Sequence, residues 1–309
     1  MAKQAAGKKS KTMPEVEKAI ASAVERLKEI RGRPCYPLLL TTATIGPALV
    51  DDIYDDLRRD YGADCGELDV VVYSGGGDID AAYNLGQLLR RFASARLSFI
   101  VPRWAKSAAT LLVCAGDTIE MTPVAELGPM DPVITVMNPL ERRLEQFSPL
   151  HIDATLQLIR DEYKTGNEKL ADGLMKRLQF PLTLGSFKMS LELAKQYLIA
   201  LLSSRMLKDQ PDQAKQIAKR LTEGYADHGF CINVQEARQM GLKAAELSGD
   251  ELDVAWEIQR LVRRKHEIER QKKSREVAKK LKELPPEVLE KLPPDLFRQP
   301  GQSEEALSG

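Results

Sequence analysis

Residues 70–89 read VVVYSGGGDIDAAYNLGQLL. Three valines and a tyrosine in succession make an apolar, β-branched run without polar alternation, the pattern of a strand buried on both faces. Three glycines end the run, and a helical pattern opens directly after them, from 78 to about 92. A buried strand that feeds a helix through a tight turn is one βα unit of a parallel sheet. On either side of this unit, strand patterns recur at 36–41, 97–101 and 118–121. Helical patterns fall between them, at 47–61 (Val50, Ile53, Tyr54 and Leu57 on one side) and at 107–115. The alternation predicts an α/β fold with a mostly parallel sheet.

Upstream, Val16, Ile20, Val24, Leu27 and Ile30 repeat at helical spacing behind Pro14, and RGRP (31–34) stops that helix. Downstream of Pro139 the chain reads as helical, with segments at 151–165, 167–178, 183–207, 213–225 and 234–240. Residues 257–283 hold 11 Lys or Arg against 5 Asp or Glu, which predicts a protruding, solvated helix. Proline pairs at 285–286 and 293–294 then mark its end. The expected organisation is a basic arm and helix over 1–34, an α/β domain over 35–250, a charged helical arm over 251–284 and a Pro-rich, disordered tail over 285–309.

Composition excludes several classes. Of 309 residues, 45 are basic and 45 acidic, so the net charge is zero and a dedicated nucleic-acid coat is not indicated. No apolar run reaches the ~18 residues of a membrane span, and the Lys- and Ala-rich start lacks the apolar core of a secretory signal. Four cysteines (35, 65, 114, 231) and three histidines (151, 228, 266) are scattered, which fits neither a disulfide scaffold nor a His/Cys metal centre. The expected compartment is the cytoplasm, and no metal or organic cofactor is expected.

The glycine turn at 75–77 can bring backbone N–H groups close to a ligand. It lacks the third glycine of G-x-G-x-x-G and the G-K-[ST] of a Walker loop, so both nucleotide readings are weak. An oxyanion hole remains, as does a plain tight turn. A second strand-to-helix junction lies 31 residues beyond Gly76, where Ser107 opens a helix beside the small Ala108 and Ala109. Taken alone, Ser107 reads as an N-cap. Two amide-bearing strand ends joined by one βα crossover add a second reading beside the N-cap, a paired site for an oxyanion.

Together, SGGG (74–77), AKSAATL (105–111), ELGPMDP (126–132) and the later HGFCINVQEARQMGL (228–242) resemble the serine dehydrogenase proteinase family. These are Clp-class serine peptidases of Clp/crotonase-like fold, built from ββα-type units. The resemblance spans about residues 35–245. It implies Ser107 as nucleophile, the Gly76 and Ala108 amides as oxyanion hole, and a peptide bound as an added strand along Gly75, Gly77, Leu127 and Gly128. It also implies a homo-oligomer. Without a Walker loop, any ATP-driven unfolding would come from a separate partner.

A serine needs a base. In the Clp proteolytic subunit a histidine follows the nucleophile on the next strand. The matching stretch here, 127–132, offers Met130 and Asp131 instead. Membrane-associated relatives use a Ser–Lys dyad, in which desolvation brings the lysine toward neutrality. By that likeness Lys188 is the first choice, Lys195 two turns along the same face the second, and Lys106 beside the serine the third. His228, ahead of Gly229 in an expected turn, is a further candidate. The alternatives are a crotonase-type acyl-CoA enzyme using Glu126 and Asp131, and a non-catalytic peptide-binding scaffold. Against the first, those two carboxylates also read as turn residues around Pro129 and Pro132. The basic helix could dock a partner, and its interspersed acids argue against nucleic acid.

Overall fold

The computed structural model describes residues 12–131, 134–138, 143–147, 149–177 and 183–282. The tail expected over 285–309 and the first eleven residues of the basic arm lie outside them. In chain order, α1 (Met13–Arg31) precedes β1 (Cys35–Leu39), α2 (Pro47–Tyr61), β2 (Glu67–Tyr73), α3 (Ile79–Phe92) and β3 (Arg96–Val101). Next come β4 (Trp104–Ala105), α4 (Ala108–Val113), β5 (Thr118–Met121) and β6 (Glu126–Leu127). A hairpin of β7 (Ile134–Asn138) and β8 (Arg143–Phe147) leads to α5 (Pro149–Lys164), α6 (Glu168–Arg177), α7 (Thr183–Ser204) and α8 (Pro211–Glu223). The order ends with α9 (Val234–Met240), β9 (Ala244–Glu246) and α10 (Gly249–Lys282).

The main sheet has the order β1-β2-β3-β5-β9, with every pairing parallel. The valine run lies at its centre, and successive side chains go to opposite faces because a strand has a period of two. Val70 and Val72 join Phe99, Val101 and the inner sides of α2, α3, α4, α7 and α8 in the larger core. Val71 and Tyr73 join Ile100 and Cys35 under α1 and α10. The expected α/β fold with a parallel sheet is what forms. One ββα-type step is visible in it, β3–β4–α4; β5 likewise continues into a two-residue strand, β6, which pairs with β4 beside the main sheet.

Three expectations differ from the structure. The chain after Pro139 is not wholly helical, since β8 pairs antiparallel with β7. The short strands β4, β6 and β9 carry too few residues to show a period. The C-terminal arm is not a solvated appendage from its start. α10 begins at Gly249, and its Val254, Ala255, Ile258 and Val262 are buried against Val16, Ile20, Val24 and Leu27 of α1. That i, i+4 stripe is narrow and set among charges, so composition hides it. Among the described residues of α10, the continuously exposed stretch is 270–280. The domain boundary expected near 250 therefore cuts through one face of the sheet: α1 and the first half of α10 are what cover Val71, Tyr73 and Ile100.

A buried ionic cluster fixes that cover. Asp69, fully buried, accepts hydrogen bonds from Arg31 and Arg33. Arg31 also reaches both carboxylate oxygens of Glu120 at 2.8 Å and Glu251 of α10 at 3.0 Å. One guanidinium thus ties α1, the sheet and α10 together. Its charge is compensated on every side, which a buried ion requires.

Candidate active site

β4 and α4 are separated by Lys106 and Ser107 alone, so the chain must turn sharply from strand to helix. Ser107 takes the strain, with φ 53° and ψ −125°. Among the described residues it is the only non-glycine with positive φ. Its side chain makes no capping hydrogen bond, so the N-cap reading fails. Such a conformation costs roughly 1–3 kcal/mol and persists where the surroundings over-determine it. A nucleophile elbow has this form: the hydroxyl is lifted out of the strand ahead of a helix.

The glycine turn converges on it. A Cβ placed on Gly76 (φ 110°) would lie 2.8 Å from the Ser107 Cβ, 2.9 Å from the Lys106 carbonyl oxygen and 3.2 Å from the Ala108 nitrogen. Gly76 is therefore in van der Waals contact with the elbow, and Ser107 itself is half-buried. The Ala108 N–H makes no hydrogen bond among the described residues. The Gly76 N–H, the other expected oxyanion donor, is taken by the Ser74 hydroxyl at 3.0 Å. An anion could use it only in competition with Ser74. We expect Gly76→Ala to lower stability by about 1–3 kcal/mol, because the new methyl meets main chain at a left-handed φ. A chemical denaturation midpoint checks this.

Of the expected peptide-binding edges, one is open and one is closed. Ile45 bridges Gly77 in parallel, donating its N–H to the Gly76 carbonyl (3.0 Å) and accepting from Asp78 N–H (2.8 Å). In that pattern the N–H and C=O of Gly77 point away from Ile45, Gly77 is exposed, and neither group is hydrogen-bonded among the described residues. Leu127 offers no such groups. Its N–H and C=O are both bonded to Ile232, at 2.9 and 3.1 Å. Gly128 is also held internally, its N–H donated to the buried Thr110 hydroxyl at 3.0 Å. Gly75 has open space over its Cα.

The four candidate bases sit in different surroundings. Lys188 is exposed on α7, so the desolvation that its selection requires is absent. Lys195 is ion-paired to Glu192 at 2.7 Å and to Glu223. Burial lowers its pKa, but the two carboxylates outweigh that and raise it, the wrong direction for a base. Lys106 turns away from its neighbour Ser107 to Glu126 (2.9 Å) and the Phe230 carbonyl (3.3 Å). His228 has the partner a catalytic histidine needs: its Nδ1 lies 2.8 Å from Oδ1 of Asp131, which is buried. That hydrogen bond raises the His228 pKa above the usual 6.5 against the opposing effect of burial.

Sequence reasoning ranked His228 last and read Asp131 as a turn residue. The pair is 97 residues apart and no local spacing signals it. The expected Asx-type turn at Glu126 and Asp131 gives way to ion pairs. Glu126 binds Arg103 at 2.5 Å and Lys106 at 2.9 Å, and accepts from Cys231 Sγ at 3.1 Å. Burial pushes its pKa up, but these donors prevail and hold it down at about 2. Lys106 and Glu126 thereby strap the 228–232 segment to the elbow. Among the described residues no cluster of His, Cys, Asp and Glu could hold a metal ion, and no helix is long and apolar enough to cross a membrane.

No family model matches the chain. Two uncharacterized proteins of Methanocaldococcus jannaschii are similar to it, one 30% identical over 178 residues (57% of this chain, 52% of the relative), the other 25% identical over 176 (57% and 51%). The chain spans about half the length of these curated relatives. Among solved structures, the ClpP catalytic domain of Plasmodium falciparum aligns with 74% of this chain and 91% of its own, at TM-score 0.39 and 12% identity. A ClpP1 variant of Listeria monocytogenes aligns over 74% and 99%, at the same TM-score and identity. A membrane-bound stomatin-specific protease in complex with a substrate peptide aligns over 71% and 78%, at TM-score 0.39 and 14% identity. At such identities a likeness concerns the course of the backbone and says nothing of residue roles.

Proposed function

We propose that the chain is a Clp-class serine endopeptidase that cleaves peptide bonds through an acyl-enzyme on Ser107. The observation that carries this reading is the left-handed Ser107 on a strand-to-helix elbow with Gly76 packed against it. A strained serine without a capping bond, next to an unused Ala108 amide at a helix start, has no evident structural purpose. It suits attack on a carbonyl whose oxygen develops charge beside that amide.

For the base we favour His228 over Lys188. With Nδ1 bonded to Asp131, the histidine presents Nε2 to take the serine proton and return it to the leaving amine. Two things support its placement. Lys106, adjacent to the nucleophile, is bonded to the Phe230 carbonyl two residues on. Asp131 lies three residues past Gly128, where a Cβ would be 3.4 Å from the Ser107 nitrogen. Catalysis requires Nε2 within about 3 Å of the Ser107 oxygen once substrate is seated. A peptide would pair with the free main-chain groups of Gly77, with Gly75 lining the same edge. Assembly as a homo-oligomer and dependence on a separate ATPase for folded substrates are parts of the same proposal.

The test is covalent labelling with a fluorophosphonate, followed by mapping of the adduct. Modification of Ser107 that is lost in His228→Ala, with folding intact, supports the serine–histidine reading. Loss in Lys188→Ala instead would transfer the role to that lysine. Acyl-CoA binding without any labelling would replace the peptidase reading with the crotonase one.

A further inference from the structure

The C-terminal helix touches the site's scaffold at one place remote in sequence. Oε2 of Glu269, on α10, accepts hydrogen bonds from the Thr41 hydroxyl at 2.5 Å and the Thr42 hydroxyl at 3.2 Å. These threonines belong to the stretch between β1 and α2. Among the described residues, Glu269 is the only hydrogen-bond partner of residues 41–44. The stretch is fixed at its near end by Leu40 N–H donating to the Tyr73 carbonyl (2.7 Å). At its far end is Ile45, buried, whose main chain clasps the glycine turn through Gly76 and Asp78.

That clasp is tight. A Cβ on Gly77 would lie 2.2 Å from the Ile45 carbonyl oxygen, so the two backbones are in direct contact. On its other side the turn presses Gly76 against Ser107. The turn is thus held between Ile45 and the elbow, and any shift of the 41–45 strap changes the distance between the glycine amides and the serine. Glu269 sits seven residues past Val262, next to Ile268, which still packs on the core, and directly before the exposed 270–280 stretch.

We propose that Glu269 is a positioning residue: by holding Thr41 and Thr42 it fixes the strap that backs the glycine turn, so the seating of the C-terminal helix sets the oxyanion geometry at Ser107. The inference rests on the peptidase reading for its catalytic consequence, while its structural consequence is independent of that reading. The strap backs both Gly76, beside Ser107, and Gly77, on the proposed peptide edge, so releasing it should weaken transition-state and ground-state binding together.

Three measurements test it on the full chain. In Glu269→Ala, kcat/KM should fall about 10-fold, and affinity for a peptide boronate should weaken by the same factor. Glu269→Gln, which keeps an acceptor oxygen, should recover most of the loss. The Thr41→Val/Thr42→Val double variant should reproduce the alanine phenotype. Hydrogen exchange should show faster amide exchange at 74–78 in Glu269→Ala with residues 108–113 unchanged. Unchanged exchange at 74–78, or a kcat/KM loss that the glutamine does not repair, overturns the proposal. Absence of Ser107 labelling in the unmodified protein overturns the peptidase reading instead, and the exchange result still decides the role of Glu269.

Discussion

Ser107→Ala is expected to abolish peptide hydrolysis and fluorophosphonate labelling, a loss on the order of 10⁶-fold in kcat if the residue is the nucleophile of a triad. Ser107→Gly should be equally inactive yet more stable than the unmodified protein by about 1 kcal/mol, because glycine adopts the left-handed backbone without the Cβ clash. Alanine keeps the Cβ and should give no such gain. A structural N-cap would behave in the opposite way: losing its hydroxyl costs about 0.5–2 kcal/mol to alanine and a few tenths to glycine. Parallel denaturation curves and single-turnover assays on the two variants therefore separate catalysis from helix capping. A glycine variant less stable than the parent would remove the strain argument and with it the best support for the serine.

How much of this could be seen in the sequence depends on the range of each interaction. The valine run and its glycine stop are local, and they gave the sheet centre and the turn correctly. Ser107 stands out as a candidate because its two small neighbours and the crossover from Gly76 lie within one βα unit. The stripe Val254, Ile258, Val262 is also local, but it is outnumbered by charges, so half of α10 read as solvated. The main-chain groups of Leu127 looked available because nothing near it in sequence reveals that Ile232 returns to bond both. The same limit hid Asp131 from His228. Desolvation of a lysine cannot be read from spacing at all, which is why Lys188 ranked first and lies exposed.

What the elbow and the glycine turn share is that each is held largely by main chain, while the strap behind the turn is tied by the Glu269 side chain. Gly76 meets Ser107 and the Lys106 carbonyl, Gly77 meets Ile45, and Leu127 meets Ile232. Backbone-to-backbone contacts leave little room to relax, and a preorganised oxyanion site depends on that rigidity. The side chains that remain adjustable, Ser74 over the Gly76 amide and Lys106 over the 228–232 segment, are then the ones able to tune access to the site.

Asp131→Asn should lower kcat about 10⁴-fold while leaving KM nearly unchanged, because a neutral amide holds His228 in the wrong tautomer and no longer stabilises the imidazolium. The pH dependence gives a second, independent reading. Asp131 raises the His228 pKa, and a base works only when neutral, so the acidic limb of kcat/KM should lie above pH 6.5. The asparagine variant should shift that limb downward. Stability must move the other way. A histidine pKa raised on folding contributes stability that is full below about pH 6.5, its unfolded value, and is lost as pH rises through the folded value. Across that window the protein should become more active while the ion pair's contribution fades, and His228→Gln should remove both slopes together. A limb that stays in place in Asp131→Asn, or thermal midpoints whose pH slope survives in His228→Gln, would detach this pair from catalysis and return the question of the base to the lysines.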